Sequence, residues 1–395
     1  MNLVIIGGGA AGLMAAVFAA GSGHAVTVLE QNERPGKKLL ATGNGRCNLT
    51  NLDQKKEAYR SLRPEKAARI LEQFPVSSVI SFFTGLGIYT KNRDGWIYPN
   101  SDQASSVLEV LLMEARHRKV KIKTRETVTE ITMQEDGTYL VHTRGWQYPA
   151  DRVIVTTGSP ASEIAGACGD GLRFAENLGI RGIPFAPALC PLRCSGLDFQ
   201  KWSGVRADGK VTLFLDGVPV ASERGELQLT SYGISGIPVF QISRYAVRAL
   251  EEGAETEAEL DLFPDMEEET LAVLLNQRMM NCTYKTAEEL LIGLLPDRLI
   301  PVALREGDRM DQIAHAVKHV LLTVRDSAGF SRAQVCSGGV DLEEVSDQLE
   351  SLRCPGLYFA GEVLDVDGAC GGYNLHWAWV TGAIAGHSAS KEEKI

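Results

Sequence analysis

Asn2-Leu-Val-Ile-Ile-Gly-Gly-Gly-Ala-Ala-Gly-Leu-Met14 is the stretch that decides the fold. Leu3 to Ile6 form a short, wholly apolar run ending in glycine, the pattern of a strand buried on both faces of a parallel sheet. Gly7, Gly9 and Gly12 then give the spacing Gly-x-Gly-x-x-Gly, and Leu13 to Ala20 continue as a helix former. The first glycine permits the tight turn, the second lets the backbone approach a pyrophosphate, and the third lets helix and strand pack closely. The N–H groups of Ala10 and Ala11 open the helix and present its positive end to phosphate. A second apolar run, Ala25 to Leu29, ends in Glu30, eighteen positions after Gly12. That is close to the distance of roughly 20 residues expected of the acid that binds a ribose hydroxyl.

Composition narrows the class. The 395 residues are 44% hydrophobic and 23% charged, as in an ordinary globular protein, so two or three domains or one large interrupted domain are expected. A net charge of −10 argues against a nucleic-acid backbone or an anionic membrane as partner. No apolar run is long enough to cross a bilayer, and the first leads straight into the glycine turn without a basic leader, so a cytoplasmic location is expected. The eight cysteines include no Cys-x-x-Cys pair, which speaks against a disulfide framework or a zinc site. Cys190 and Cys194 read as small buried apolar residues.

After the second strand, Arg34 to Asn51 is too polar and glycine-rich for a helix. Lys37, Lys38 and Arg46 concentrate positive charge there, while Gly43 and Gly45 allow close backbone approach, which suits a diphosphate and an electron-rich ring edge. The glycine fingerprint, Glu30 and Gly36-Lys-Lys-Leu…Thr-Gly-Asn-Gly-Arg-Cys-Asn-Leu-Thr-Asn51 together resemble the YhiN-like or BaiN-like flavoproteins, a family that also contains the aminoacetone oxidases. The resemblance extends over nearly the whole chain. It implies a Rossmann-like FAD-binding domain of the two-dinucleotide-binding-domain type, interrupted by a β-barrel-like insertion and a small helical subdomain.

Pro64 to Phe74 and Ser105 to Ala115 carry amphipathic helical spacing, and Tyr89 to Asn100 reads as a hairpin with Trp96 and Tyr98 near its tip. From Val120 the period becomes two, giving strands at 121–124, 128–133, 139–143 and 152–158, followed by a helix over 169–179. Residues 210–217, 218–222 and 225–230 alternate like barrel strands, and helices beginning near Asp265 and Thr286 carry early acids. The expected division is a discontinuous cofactor domain at 1–188 and 328–395, a β-rich insertion at 189–262 plus about 316–327, and a helical subdomain at 263–315. A ligand pocket is expected where the insertion faces the cofactor domain. His315 and His319 stand four apart on a helix, a spacing that suits a metal. No glutamate follows the first histidine and the resemblance implies no metal, so the expectation is two exposed or partly packed residues and no metal site.

The C-terminal block repeats the strand-glycine-acid pattern. Ser337 to Val340 is expected to return to the sheet, Gly356 to Glu362 to form a strand ending in Ala-Gly-Glu, and Gly371-Gly372 to open an apolar helix. The resemblance implies the following contacts with FAD. Glu30 and Gln31 hold the adenylate ribose, Val128 lies by the adenine, and the turn from Gly7 to Gly12 takes the pyrophosphate. Lys37, Lys38 and Leu39, with Thr157, Gly158, Gly361 and Glu362, border the ribityl and phosphate region. Gly43, Gly45, Arg46, Cys47, Asn48, Gly371, Gly372 and Tyr373 lie near the isoalloxazine, and Asn374 and Leu375 offer it backbone N–H groups, favouring the reduced anion. Arg46, Cys370 and Tyr373 are the candidates for contact with the reacting atoms, Tyr373 either on the ring or in packing.

The implied function is hydride transfer between a small organic substrate and FAD, with oxygen or NAD(P)H as the second redox partner. Some members of the family are linked to aminoacetone oxidation and others to reduction of steroid-like unsaturated substrates, and both remain open. With no second strand-linked Gly-x-Gly-x-x-Gly, a nicotinamide would dock transiently. Two other readings stand beside it: a flavin-binding redox sensor without catalysis, and an FAD-dependent RNA-modifying enzyme, which the acidic charge and lack of a basic stripe disfavour.

Overall fold

The computed structural model describes Met1 to Lys391 apart from Ser22 and Ala165. The chain divides into two compact units, residues 1–185 with 335–395, and residues 186–334. In the first, five strands form one parallel sheet: β1 (Asn2–Ile6), β2 (Ala25–Glu30), β3 (Lys121–Thr124), β4 (Arg152–Val155) and β5 (Leu357–Phe359), in the order β5-β4-β1-β2-β3. Leu3 to Ile6 and Val153 to Val155 are buried because both faces of the sheet are covered. Chain order reverses direction beside β1, the point at which ligands bind off the carboxyl ends of such sheets.

Two helices from opposite ends of the chain lie against each other in this unit: α1 (Ala10–Ala20) and α2 (Tyr373–Ala389). Their contact is set by Gly382 and Gly386, four apart on α2. A Cβ at Gly382 would lie 2.5 Å from the carbonyl oxygen of Ala11, and one at Gly386 would lie 2.3 Å from that of Ala15. Backbone therefore rests on backbone. The same helix anchors β5 to the sheet through Trp377 and Thr381. Trp377 Nε1–H donates to Gly361 O at 3.1 Å, and the N–H of Gly361 donates to Thr381 Oγ1 at 2.9 Å.

The strand Val335–Val340 lies outside the parallel sheet, contrary to the reading of Ser337 to Val340. Gly338 and Gly339 have φ of +89° and +128°, which turns the segment toward Asp365. There the N–H of Gly338 donates to Asp365 Oδ1 at 3.1 Å and that of Asp365 to Val340 O at 2.9 Å.

In the second unit, strands Leu192–Ser195, Gly233–Ser235, Val218–Thr230, Arg206–Leu215, Thr256–Asp261 and Val320–Ser327 form a closed antiparallel barrel in that order. The strands read as 218–222 and 225–230 are one, because Gly225 at φ +150° carries the chain through without a break. The helix expected near Asp265 begins at Glu268, while Thr286 and Glu289 close a reciprocal capping box on Ala287–Leu291. These helices belong to the same compact unit as the barrel. No helix among the described residues is long and apolar enough to cross a membrane.

Replacing Gly386 with valine tests the helix contact. The better helix propensity gains about 1 kcal/mol at most, but the new side chain meets backbone that has no rotamer to change. Gly386→Val is expected to lower the unfolding free energy by about 1–3 kcal/mol in urea titration.

Candidate functional site

The glycine turn between β1 and α1 is held from three sides. The N–H of Gly7 donates to Leu29 O at 2.8 Å, and that of Gly36 to Gly8 O at 2.9 Å. Thr156 Oγ1 lies 2.9 Å from Ile6 O and 2.8 Å from Gly7 O. A Cβ at Gly12 would sit 1.9 Å from Gly7 O, so only glycine lets the helix begin there. A Cβ at Gly9 would meet nothing within 4 Å, and no side chain caps α1. The turn therefore leaves open space at the positive end of α1, beside Ala10 and Ala11.

Glu30 is buried at the end of β2 with its carboxylate already oriented. Oε2 accepts the N–H of Gly8 at 2.9 Å, and Oε1 accepts the backbone N–H and Nδ2 of Asn32 at 2.8 and 2.9 Å. Next to it, Gln31 Nε2 donates to Gly166 O at 2.6 Å. The Glu30 carbonyl accepts the N–H of Glu126 at 3.0 Å, bringing the buried Val128 to the same end of the sheet.

Three chain segments meet at Glu362. Lys38 Nζ lies 2.6 Å from Glu362 Oε2, which also accepts the hydroxyl of Ser159 at 3.2 Å. Gly158 (φ +74°) and Gly361 (φ +80°) turn the chain on either side. Leu39 is core and Lys37 half-buried on a short helix, Lys37–Ala41, contrary to the reading of 34–51 as free of helix. Thr157 Oγ1 is buried and has no hydrogen-bond partner among the described residues.

The loop 43–51 meets the loop 368–375. Gly43, Asn44, Gly45 and Cys47 all have positive φ, coiling the loop tightly. Asn51 Nδ2 donates to Gly371 O at 3.1 Å. A Cβ at Gly372 would lie 2.8 Å from the backbone of Thr50 and 2.9 Å from Asn48 Oδ1, itself a buried oxygen with no partner among the described residues. Asn374 pins the second loop by accepting the N–H of Gly368 at 2.7 Å and donating to its carbonyl at 2.8 Å. Tyr373 packs edge-on against Tyr59 and donates its hydroxyl to Asp53 O at 2.8 Å, so the group it leaves to the loop is its backbone. Leu375 and Cys370 are half-buried, and Arg46 is exposed. Burial pushes the Cys47 thiol up to about 12 despite a hydrogen bond from Thr42. Cys47 is thus a protonated thiol at neutral pH.

Two contributors are absent from the sequence reading. His376 is buried in the first turn of α2, where its Nδ1 lies 2.9 Å from Thr50 Oγ1. Trp379 Nε1–H donates to Leu49 O at 3.0 Å. These two residues join the two ends of the chain. A lone histidine or tryptophan inside an apolar helix reads as core; only its partner across more than 300 residues gives it meaning.

The family model described as the HI0933-like protein Rossmann domain matches residues 1–388. The 3-dehydro-bile acid delta(4,6)-reductase of Clostridium scindens is 45% identical, over 99% of this chain and 100% of the relative. The ribosomal RNA dihydrouridine synthase of Haemophilus influenzae is 30% identical, over 98% of both chains. Among solved structures, the 3-ketosteroid delta1-dehydrogenase of Sterolibacterium denitrificans, in complex with 1,4-androstadiene-3,17-dione, covers 98% of this chain and 99% of its own. Its TM-score is 0.55 at 12% identity, which establishes a shared fold.

Burial lowers the pKa of His376 from 6.5 to about 4. A proton on this ring favours the unfolded chain, so its contribution to stability is complete above about pH 6.5 and is lost as pH falls toward 4. The loss amounts to about 3 kcal/mol. Urea titrations at pH 7 and pH 4.5 are expected to show that His376→Gln loses markedly less stability between the two than the unaltered chain.

Proposed function

We propose that this chain, which belongs to the HI0933-like Rossmann family, is an FAD-dependent reductase of a carbon–carbon double bond conjugated to a carbonyl in a small apolar molecule, with a steroid-like 3-ketone as the favoured class. One observation carries the reading: glycine loops from the two ends of the chain meet at the carboxyl edge of one parallel sheet, where Lys38 is paired to Glu362 at 2.6 Å. The fit of FAD is supported by open space at Gly9 and by the partnerless buried oxygens of Asn48 and Thr157. The reductase's 45% identity over its whole length supports the substrate class.

Bound FAD would supply two-electron chemistry, giving hydride to carbon when reduced and regaining it from a nicotinamide. The chain's own residues bind and orient. Glu30, held by Gly8 and Asn32, would take the ribose hydroxyls with an acceptor that is already desolvated. The first turn of α1 would hold the pyrophosphate, with Gly9 keeping that approach clear. Lys38, Ser159 and Glu362 would hold the ribityl region. The N–H groups of Asn374 and Leu375, at the positive end of α2, would favour the negative charge that the ring acquires on reduction. His376, Asn374 and Asn51 are positioning residues: they hold the loop that carries these N–H groups.

A second reading, reduction of a uridine base in ribosomal RNA, is favoured by the 30% relative. It calls for the same delivery of hydride to an unsaturated carbonyl system. The net charge of −10 opposes an RNA backbone, which ranks this reading second.

The purified protein is expected to be yellow. Once reduced under anaerobic conditions, it should be reoxidised by a 3-oxo-4-ene steroid, with the saturated ketone as product. Reoxidation by ribosomal RNA alone favours the second reading. Indifference to both, with peroxide formed from aminoacetone, overturns the reductase. Glu30→Ala removes hydrogen bonds to a charged acceptor, each of about 1.5–3 kcal/mol. It should weaken FAD binding by about 10- to 100-fold in a fluorescence titration.

A further inference from the structure

The second compact unit contains a side-chain cluster that the reading of the cofactor site does not use. His315 lies on the helix Met310–Lys318, and His319 directly follows it. Glu268 is the first residue of the helix Glu268–Asn281, and Glu259 lies on the strand Thr256–Asp261. One donor atom from each of Glu268, His315 and His319 falls within 4.8 Å of the other two. A Glu268 oxygen is 3.3 Å from His315 Nδ1 and 3.1 Å from His319 Nε2. Four ligands at about 2.0–2.1 Å from a tetrahedral zinc ion stand about 3.3 Å apart along each edge. The two contacts to Glu268 are therefore already close to the spacing of a filled site.

The surroundings point the same way. The other ring nitrogen of His319, Nδ1, is 2.9 Å from Glu259 Oε2. A carboxylate on the far nitrogen is the usual support of a metal-bound histidine, because it fixes the tautomer and raises the basicity of the coordinating nitrogen. The scaffold is also pinned. Lys318, adjacent to His319 and almost fully buried, donates to Asp261 Oδ2 at 2.8 Å and to the carbonyls of Phe263 and Met266 at 2.9 and 2.6 Å. That fixes the segment leading into Glu268 relative to the end of the histidine helix. The glutamate missing from the sequence beside His315 is supplied from another helix.

We propose that Glu268, His315 and His319 form a binding site for a divalent transition metal of the zinc class, with Glu259 orienting His319 and water completing the coordination. Two imidazoles and one carboxylate match that class and are poor ligands for magnesium. The bound ion joins the start of one helix to the end of another. Protons compete with it for the imidazole nitrogens, so affinity falls as pH drops.

The test uses the full chain with its flavin and without a polyhistidine tag, titrated with Zn²⁺ by calorimetry, with Mg²⁺ as the control. One equivalent of Zn²⁺ is expected to bind and to raise the thermal midpoint, with no effect of Mg²⁺. His319→Gln and Glu268→Gln should abolish binding, and Glu259→Gln should weaken it about 10- to 100-fold. Cobalt substitution should give tetrahedral absorption without a thiolate charge-transfer band, which distinguishes this site from the cysteines. The metal-free thermal midpoint, measured for each variant, verifies that it is folded. Unchanged Zn²⁺ binding in folded variants, a thiolate band, or no specific binding to the unaltered chain would overturn the proposal.

Discussion

Contact between α1 and α2 without intervening side chains is the constraint on which the rest of the first unit depends. Helices at ordinary separation are held apart by their side chains, but Gly382 and Gly386 remove that spacer and bring α2 onto the backbone of Ala11 and Ala15. Since α1 begins at the glycine turn and α2 begins at Gly372, fixing one helix on the other also fixes their positive ends. The indole of Trp377 and the hydroxyl of Thr381 extend this control to Gly361 at the end of β5. A sheet edge, two helix starts and two glycine loops are thereby set by one interface.

The chemistry of the site follows from what this frame leaves uncharged and unpaired. His376 is held neutral by burial, and Cys47 is held as a thiol. Charge at the carboxyl edge resides in oriented groups instead: Glu30 among three N–H donors, and Lys38 against Glu362. Such groups need little reorganisation when a charged or polar ligand arrives, which is how a preorganised site differs from water.

Much of this was legible in the residues. Buried parallel strands announce themselves as continuous apolar runs, as Leu3 to Ile6 does and, with Thr27 half-buried and Ala25 exposed, Ala25 to Leu29 does less fully. The glycine turn is legible because its steric needs are local: Gly7 and Gly12 touch each other and Thr156. Long-range partners leave no such trace. Nothing near His376 indicates Thr50, and only the family resemblance, not the residues around Glu362, brings Lys38 to it. Local pattern also misled where glycine acts in two ways. Gly225 reads as the start of a strand and lies inside one that runs from Val218 to Thr230, whereas Gly338 and Gly339 read as part of a sheet strand and turn the chain out of it. The pair His315 and His319 shows the same limit, since the carboxylates that surround them come from a separate strand and helix.

The proposed FAD site requires the two glycine loops to form one cradle. A crystal structure of the protein saturated with FAD tests this most directly. Density for the adenylate ribose is expected at Glu30, with the pyrophosphate at the start of α1 and the ring against the N–H groups of Asn374 and Leu375. FAD density that leaves Glu30 or the start of α2 untouched, or a fully occupied flavin elsewhere on the chain, would contradict it.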